Sequence, residues 1–156
     1  YVDIVSLRFP NCFGKNQPTS GGDIGLIGGF IMKALDGQEI KVFGDGRKRN
    51  IVFVEDLIND ILKLSKKDFK GFNAFNVRGM DVSIHTLASE IVSIVGGGSV
   101  IREELTDIIK AIDTGNTEYS EVKLSKYLGQ RTLTDLTTSL NLTIKYFREK
   151  LNALEM

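Results

Sequence analysis

The sequence is short of the residues that carry much of enzyme chemistry. Among 156 residues there is one cysteine, Cys12, one histidine, His85, and no tryptophan. A lone cysteine excludes an internal disulfide and a multi-cysteine zinc site. A lone histidine argues against a His-rich metal site or a His-based triad. Proline is scarce as well, with only Pro10 and Pro18. Neither sign of charge is in excess, because twenty Lys+Arg balance twenty Asp+Glu. Bulk attraction to nucleic acid or to a membrane surface is therefore not expected, although neutrality leaves room for a local basic patch. No apolar run reaches the length that spans a bilayer, and no secretory leader pattern opens the chain. With one thiol, a soluble, reducing, cytoplasmic setting is expected. What is present is a hydrophobic fraction of 42% and a charged fraction of 26%, enough for a real core in one domain. The first residue is Tyr rather than Met. A piece of a longer protein is the expectation that follows.

Periodicity points to mixed α and β. Val2 to Leu7 is rich in β-branched apolar residues and reads as a strand that Pro10 stops. A polar loop follows, and then Ile24, Ile27, Ile31 and Leu35 recur at helical spacing, with Gly37 as the terminating residue. Ile40–Phe43 and Ile51–Val54 read as strands separated by a Gly44-Asp45-Gly46 turn. Val54, Leu57, Ile58, Ile61 and Leu62 define a helix face, with Glu55 and Asp56 in its first turn, where the helix dipole favours them. Phe72–Val77 alternates as a strand does. Ser83 is positioned to cap a helix faced by Ile84, Leu87, Ala88, Ile91 and Val95, which Gly96-Gly97-Gly98 ends. Ser99–Leu105 is a strand candidate. Glu121–Leu128 reads as a short helix, and Thr134–Leu151 as a final amphipathic one. No internal repeat and no long linker divides the chain.

Gly22, Gly25 and Gly28 match the spacing of a dinucleotide fingerprint. That motif needs a hydrophobic strand before it and an acidic ribose ligand about 20 residues after it. Here a polar loop precedes it, and Asp45 sits in a glycine turn, so a flexible loop leading into a helix is the preferred reading.

Three ordered segments carry a family resemblance. The first is Leu7-Arg8-Phe9-Pro10-Asn11-Cys12-Phe13-Gly14. The second runs from Ile40-Lys41-Val42-Phe43-Gly44-Asp45-Gly46 through Arg47-Lys48-Arg49-Asn50 to Val54-Glu55-Asp56. The third is Leu128-Gly129 followed by the last helix. Together they resemble the second half of the extended short-chain dehydrogenase/reductases, the NAD-dependent nucleotide-sugar epimerases and dehydratases. The resemblance implies an α/β chain, a small sheet with several helices, lacking the N-terminal Rossmann portion. It implies NAD as the cofactor of the complete enzyme, no metal, and a nucleotide-diphosphate sugar as the bound partner. The family's catalytic Tyr-x-x-x-Lys belongs to the missing half. Tyr119 and Lys123 have that spacing but stand far downstream of the expected place.

The resemblance assigns substrate contacts to Asn11, Leu26, Phe43, Gly44, Arg49, Lys110 and Asp113, and nicotinamide-side contacts to Phe9 and Pro10. The residue types suit those tasks. A diphosphate needs cationic and amide donors, a base needs an apolar slot, and ribose needs acceptors. Each residue also has an ordinary reading. Asn11 can be a turn former, Phe43 a core residue, and Arg47-Lys48-Arg49 a solvated turn. Departures from the family pattern weaken particular positions. Asn50 stands where an Asp would hold Arg49. Lys110 stands for an Arg and cannot offer a bidentate fork. Ser120 stands for a helix-capping Asp, and Gly28-Gly29 for Pro-Lys. Cys12 reads as a buried small hydrophobe and His85 as a surface residue. Two other readings remain, a non-catalytic sugar-nucleotide sensor and a related reductase acting on a non-sugar substrate. If a covering half is missing, exposed apolar surface should favour self-association.

Overall fold

Pro10 divides the first apolar run between two sheets. Strand β1 (Ile4–Arg8) ends before Phe9-Pro10, and the chain resumes as β2 (Asn11–Phe13). Proline ends the β1 ladder as expected, but the strand that restarts beyond it leaves no mark in the residue pattern. The structure, a computed structural model, describes residues 2–19, 21–22, 24–112 and 115–153. The remaining elements follow in order as α1 (Gly25–Leu35), β3 (Glu39–Phe43), β4 (Lys48–Phe53), α2 (Val54–Leu64), β5 (Phe72–Asn76) and β6 (Met80–Ser83). After these come α3 (Ile84–Val95), β7 (Ser99–Glu103), α4 (Asp107–Ile112), α5 (Val122–Leu128) and α6 (Leu136–Asn152).

The strands form three small sheets instead of one. β1 pairs with β5 in parallel and β3 with β7 in parallel. β4 lies between β2, parallel to it, and β6, antiparallel to it. Strand β6 and helix α4 were not expected from the sequence. β6 is only four residues long, and α4 has no buried residue to give it an apolar face.

Two apolar clusters result. The larger gathers Ile31 from α1, Ile40 from β3, Ile91 from α3, and Leu140, Ile144 and Phe147 from α6, each at most 1% exposed. The smaller joins Val52, Leu57, Leu64, Phe69, Phe75, Val77 and Leu124. Local chemistry sets the helix ends. The Ser83 hydroxyl accepts the Thr86 amide at 2.9 Å, and Gly96 closes α3 at φ 73°. Asp135 caps α6 by accepting from Thr138 N at 2.9 Å. The threonines of α6 are poor helix formers, and the buried Thr143 satisfies its hydroxyl on Ser139 O at 2.7 Å. Asp56, at the start of α2, accepts from both the amide and the hydroxyl of Thr134, which ties the approach to α6 onto α2.

One buried ion cluster joins the same region. Arg131 Nη2 stands 2.6 Å from Asp60 Oδ2, with both side chains about 5% exposed or less. Their separation makes this an ion pair, although the angle is too poor for a good hydrogen bond. Arg131 Nη1 also donates to Glu121 at 2.5 Å and to Arg78 O at 2.6 Å. Helices α2 and α5 are thereby clamped to the β5–β6 connection.

Candidate nucleotide-sugar site

β4 organises the candidate residues. Its parallel pairing with β2 sets Asn11 opposite Ile51, two residues along from Arg49. Alternation along a strand puts Arg49 and Ile51 on one face, and a Cα partner shares that face. Asn11 and Arg49 therefore lie on the same side of this sheet, with Asn11 exposed and Arg49 half-buried. Arg49 Nη1 donates to its neighbour Lys48 O at 2.9 Å and to Gly115 O at 3.2 Å.

Asn50 does not hold Arg49. Strand alternation turns its side chain the other way, where it is buried. Its Nδ2 donates to Asp81 Oδ1 at 2.7 Å, and its Oδ1 accepts from Gly79 N at 2.7 Å. This corrects the expectation drawn from the Asp-to-Asn departure, since the residue 50 amide fastens β6 instead. Position 79, whose amide donates to it, must be glycine, because a Cβ there would come within 1.9 Å of Ile51 O. Hydrogen bonding from Asn50, and then the Arg78 guanidinium at 2.7 Å, hold the Asp81 carboxyl below the usual carboxylate range.

A cavity of about 400 Å³ opens beyond the end of β3, lined by Gly44, Asp45, Arg102, Glu103, Glu104, Leu105 and Lys110. Gly44 and Lys110, far apart in sequence, thus meet in one space. The half-buried Phe43 precedes it, and its carbonyl accepts from Arg47 Nη1 at 3.1 Å. Gly44 adopts φ 70°, and a Cβ there would strike Leu105 at 2.7 Å, so this close approach requires glycine. Three ion pairs stand around the cavity. Lys110 stands 3.3 Å from Asp107, Arg102 3.3 Å from Asp45, and Lys41 2.6 Å from Glu103. The bond from Lys41 to Glu103 raises the lysine above its usual range. Arg102, Glu104 and Leu105 escaped the sequence reading because a strand end and a polar loop carry no spacing signal.

Other expected positions fall elsewhere. Leu26 is half-buried against the larger cluster. Pro10 is buried, while Phe9 is half exposed beside a second, apolar cavity of about 400 Å³ with Val5, Leu7, Ile61 and Leu64. Asp113 lies outside the described residues. Ser120 does not cap α5, whose N-cap is Glu121 without a side-chain hydrogen bond. His85 is half-buried instead of a plain surface residue, and Cys12 is only half-buried, its thiol pushed up by burial. Lys123 Nζ donates to Ala74 O at 3.0 Å and stands 4.7 Å from the Phe75 ring centre, so it fastens α5 to β5.

The glycine run does not follow a strand directly, since β2 ends at Phe13 and a loop intervenes. Gly28 packs under Gln17, whose Nε2 donates to Ile24 O at 2.7 Å. Among the described residues, the glycine run therefore forms no strand-turn-helix of the kind that binds a dinucleotide pyrophosphate. No step through that cofactor is assigned to this chain. Among the described residues, no cluster of acidic, His or Cys side chains could hold a metal ion, and no helix is long and apolar enough to cross a membrane.

Comparison with known proteins agrees with this architecture. The NAD dependent epimerase/dehydratase family matches residues 1–77. Over 153 residues the chain is 29% identical to UDP-glucuronic acid decarboxylase 1 of Xenopus tropicalis, covering 96% of this chain and 34% of that protein. It is 32% identical over 110 residues to a putative UDP-glucose 4-epimerase of Methanocaldococcus jannaschii, covering 70% of this chain and 29% of that one. A UDP-glucose 4-epimerase of Thermotoga maritima, solved with UDP-glucose, matches at a TM-score of 0.80 and 25% identity, over 96% of this chain and 47% of that chain. The chain spans about a third of the curated relatives it matches and about half of the solved one.

Proposed function

We propose that this chain is the nucleotide-sugar-binding portion of an NAD-dependent epimerase or dehydratase, with the hydride-transfer groups lying outside it. One observation carries the reading. Gly44 and Lys110 line one cavity, while Asn11 and Arg49 share a face of the β2–β4–β6 sheet, to which the chain passes from β3 through the Gly44–Arg47 turn. Between them those positions supply backbone at a cavity, an amide donor and cations, the groups that a nucleoside diphosphate requires. Phe43, next to Gly44 in the chain, is assigned to the base by the family resemblance, and base–aromatic contact contributes about 1–3 kcal/mol. Asp113 is assigned to the ribose hydroxyls on sequence position alone. In the complete enzyme, NAD would supply the acceptor for a transient oxidation of a sugar hydroxyl. This chain's task is to hold and orient the nucleotide end.

Titration of UDP, UDP-glucose and dTDP-glucose into the chain and into Arg49→Ala tests the reading. Weaker binding by about tenfold or more is expected for the variant, as for loss of a charge-assisted contact of about 1.5–3 kcal/mol. Equal affinities would remove Arg49 from the diphosphate site. Tight NADH binding by the isolated chain would contradict the division of labour proposed.

A further inference from the structure

We propose that Asn116 is a positioning residue for Arg49, acting through the backbone that presents the guanidinium. The inference rests on the reading of Arg49 as a diphosphate ligand. Its starting point is an asymmetry in β4. On one side, β6 pairs with Lys48 through Ile51. On the other, β2 pairs only with Ile51 through Phe53. Lys48, Arg49 and Asn50 thus run past the end of β2, and the stretch carrying the guanidinium has a partner strand on one side only.

Residues 115 and 116 occupy the vacated side. Asn116 Oδ1 accepts from Lys48 N at 2.8 Å, an amide that lies beyond the end of the β2 ladder. The preceding carbonyl, Gly115 O, accepts from Arg49 Nη1 at 3.2 Å. Gly115 sits at φ 69°, a left-handed conformation. One short segment therefore fixes both the strand backbone before Arg49 and the direction of its guanidinium. Residue 50 cannot do this, because its amide is committed to Gly79 and Asp81 on the opposite face. Asn116, 68 positions beyond the Lys48 amide it binds, and Gly115 before it replace a hold that the sequence suggested would come from the residue next to Arg49.

A double-mutant cycle read by UDP and uridine titration, followed by amide chemical shifts of the whole chain, tests this. Asn116→Ala should weaken UDP binding about 2- to 10-fold, the range for one net hydrogen bond. Uridine, which has no diphosphate, should bind the variant as it binds wild type. In the Arg49→Ala background, Asn116→Ala should have no further effect on UDP. Asn116→Leu, which keeps the branched shape without the accepting oxygen, should reproduce the result and serves if the alanine variant does not fold. An equal loss for UDP and uridine would overturn the inference, and so would an undiminished loss in the Arg49→Ala background or no loss at all. If Arg49→Ala itself binds UDP as wild type does, or wild type shows no UDP binding, the functional reading falls first and the inference with it.

Discussion

The two apolar clusters differ in how completely they are closed. Around α1, α3 and α6, buried residues meet buried residues from every direction, and Ile31, Ile91, Leu140 and Phe147 are sealed. Around β1, β5 and α2, one side is built and the other is open. Ile4, Val5, Phe9, Ile58, Ile61, Leu62 and Phe72 are all exposed large apolar residues of that region. The outer edge of β5 is occupied by α5 through Lys123, whereas no strand pairs with the free edge of β1 among the described residues. Parallel strands are normally buried on both faces, and a two-stranded sheet is marginal alone. The first region has the makings of a self-sufficient core. The second has the composition of an interior with only half of its walls.

Experiments can break this contrast. The largest effect is expected from Asp60→Ala in the half-walled region. It strips the buried Arg131 of one of its two carboxylate partners, leaving Glu121 as the other, and should cost toward the lower end of about 3–5 kcal/mol in urea unfolding. A loss under about 1 kcal/mol would mean that the clamp relaxes into water. Leu140→Ala in the closed cluster should cost about 2–5 kcal/mol. Hydrogen exchange should then show lost protection in α1, α3 and α6. Uniform loss that included β1 and β5 would show that the two regions unfold as one unit.

Acid should act on the β4–β6 join next. The folded pKa of Asp81 lies below its unfolded value of about 3.9. Its contribution is present above that value and is lost as pH falls through the folded pKa. Stability should therefore decline below about pH 4, and Asp81→Asn, which keeps an accepting oxygen for Asn50, should flatten the decline. An unchanged slope would assign the acid sensitivity to other carboxylates. The smallest effect on stability, within about 0.5 kcal/mol, is expected for Ile61→Ser on the open face. The same change should reduce self-association in sedimentation velocity, and a wild type that is monomeric at high concentration would remove that expectation.

Much of the closed region was legible in the sequence because its signals are local. The apolar period of α3, its Ser83 cap and its terminal glycines predict the helix nearly residue by residue. The positive φ of Gly37 and Gly44 follows from turn chemistry in the same way. The divided path at Pro10 was not legible, because a three-residue strand has too few side chains to show alternation. Nor was the fate of Asn50. Its side-chain partners are about 30 positions away, and nothing in residues 47–51 reports them. Of the candidate site, the cations and glycines stood out by type. The segment at Gly115 and Asn116 did not, since a polar residue in a polar loop resembles any other.

The Phe9-Pro10 joint connects these regions mechanically. It is all that separates β1, whose edge is open, from Asn11 at the start of β2. Proline fixes its own φ, so the joint has little freedom to absorb displacement. Whatever packs against β1 therefore helps to set where the Asn11 amide stands beside β4. With Asn11 as a ligand contact and β1 displaced by what covers it, occupancy of the two places is thermodynamically linked, each changing the other's affinity by the same factor. Nucleotide binding would then report on assembly, and assembly on nucleotide binding.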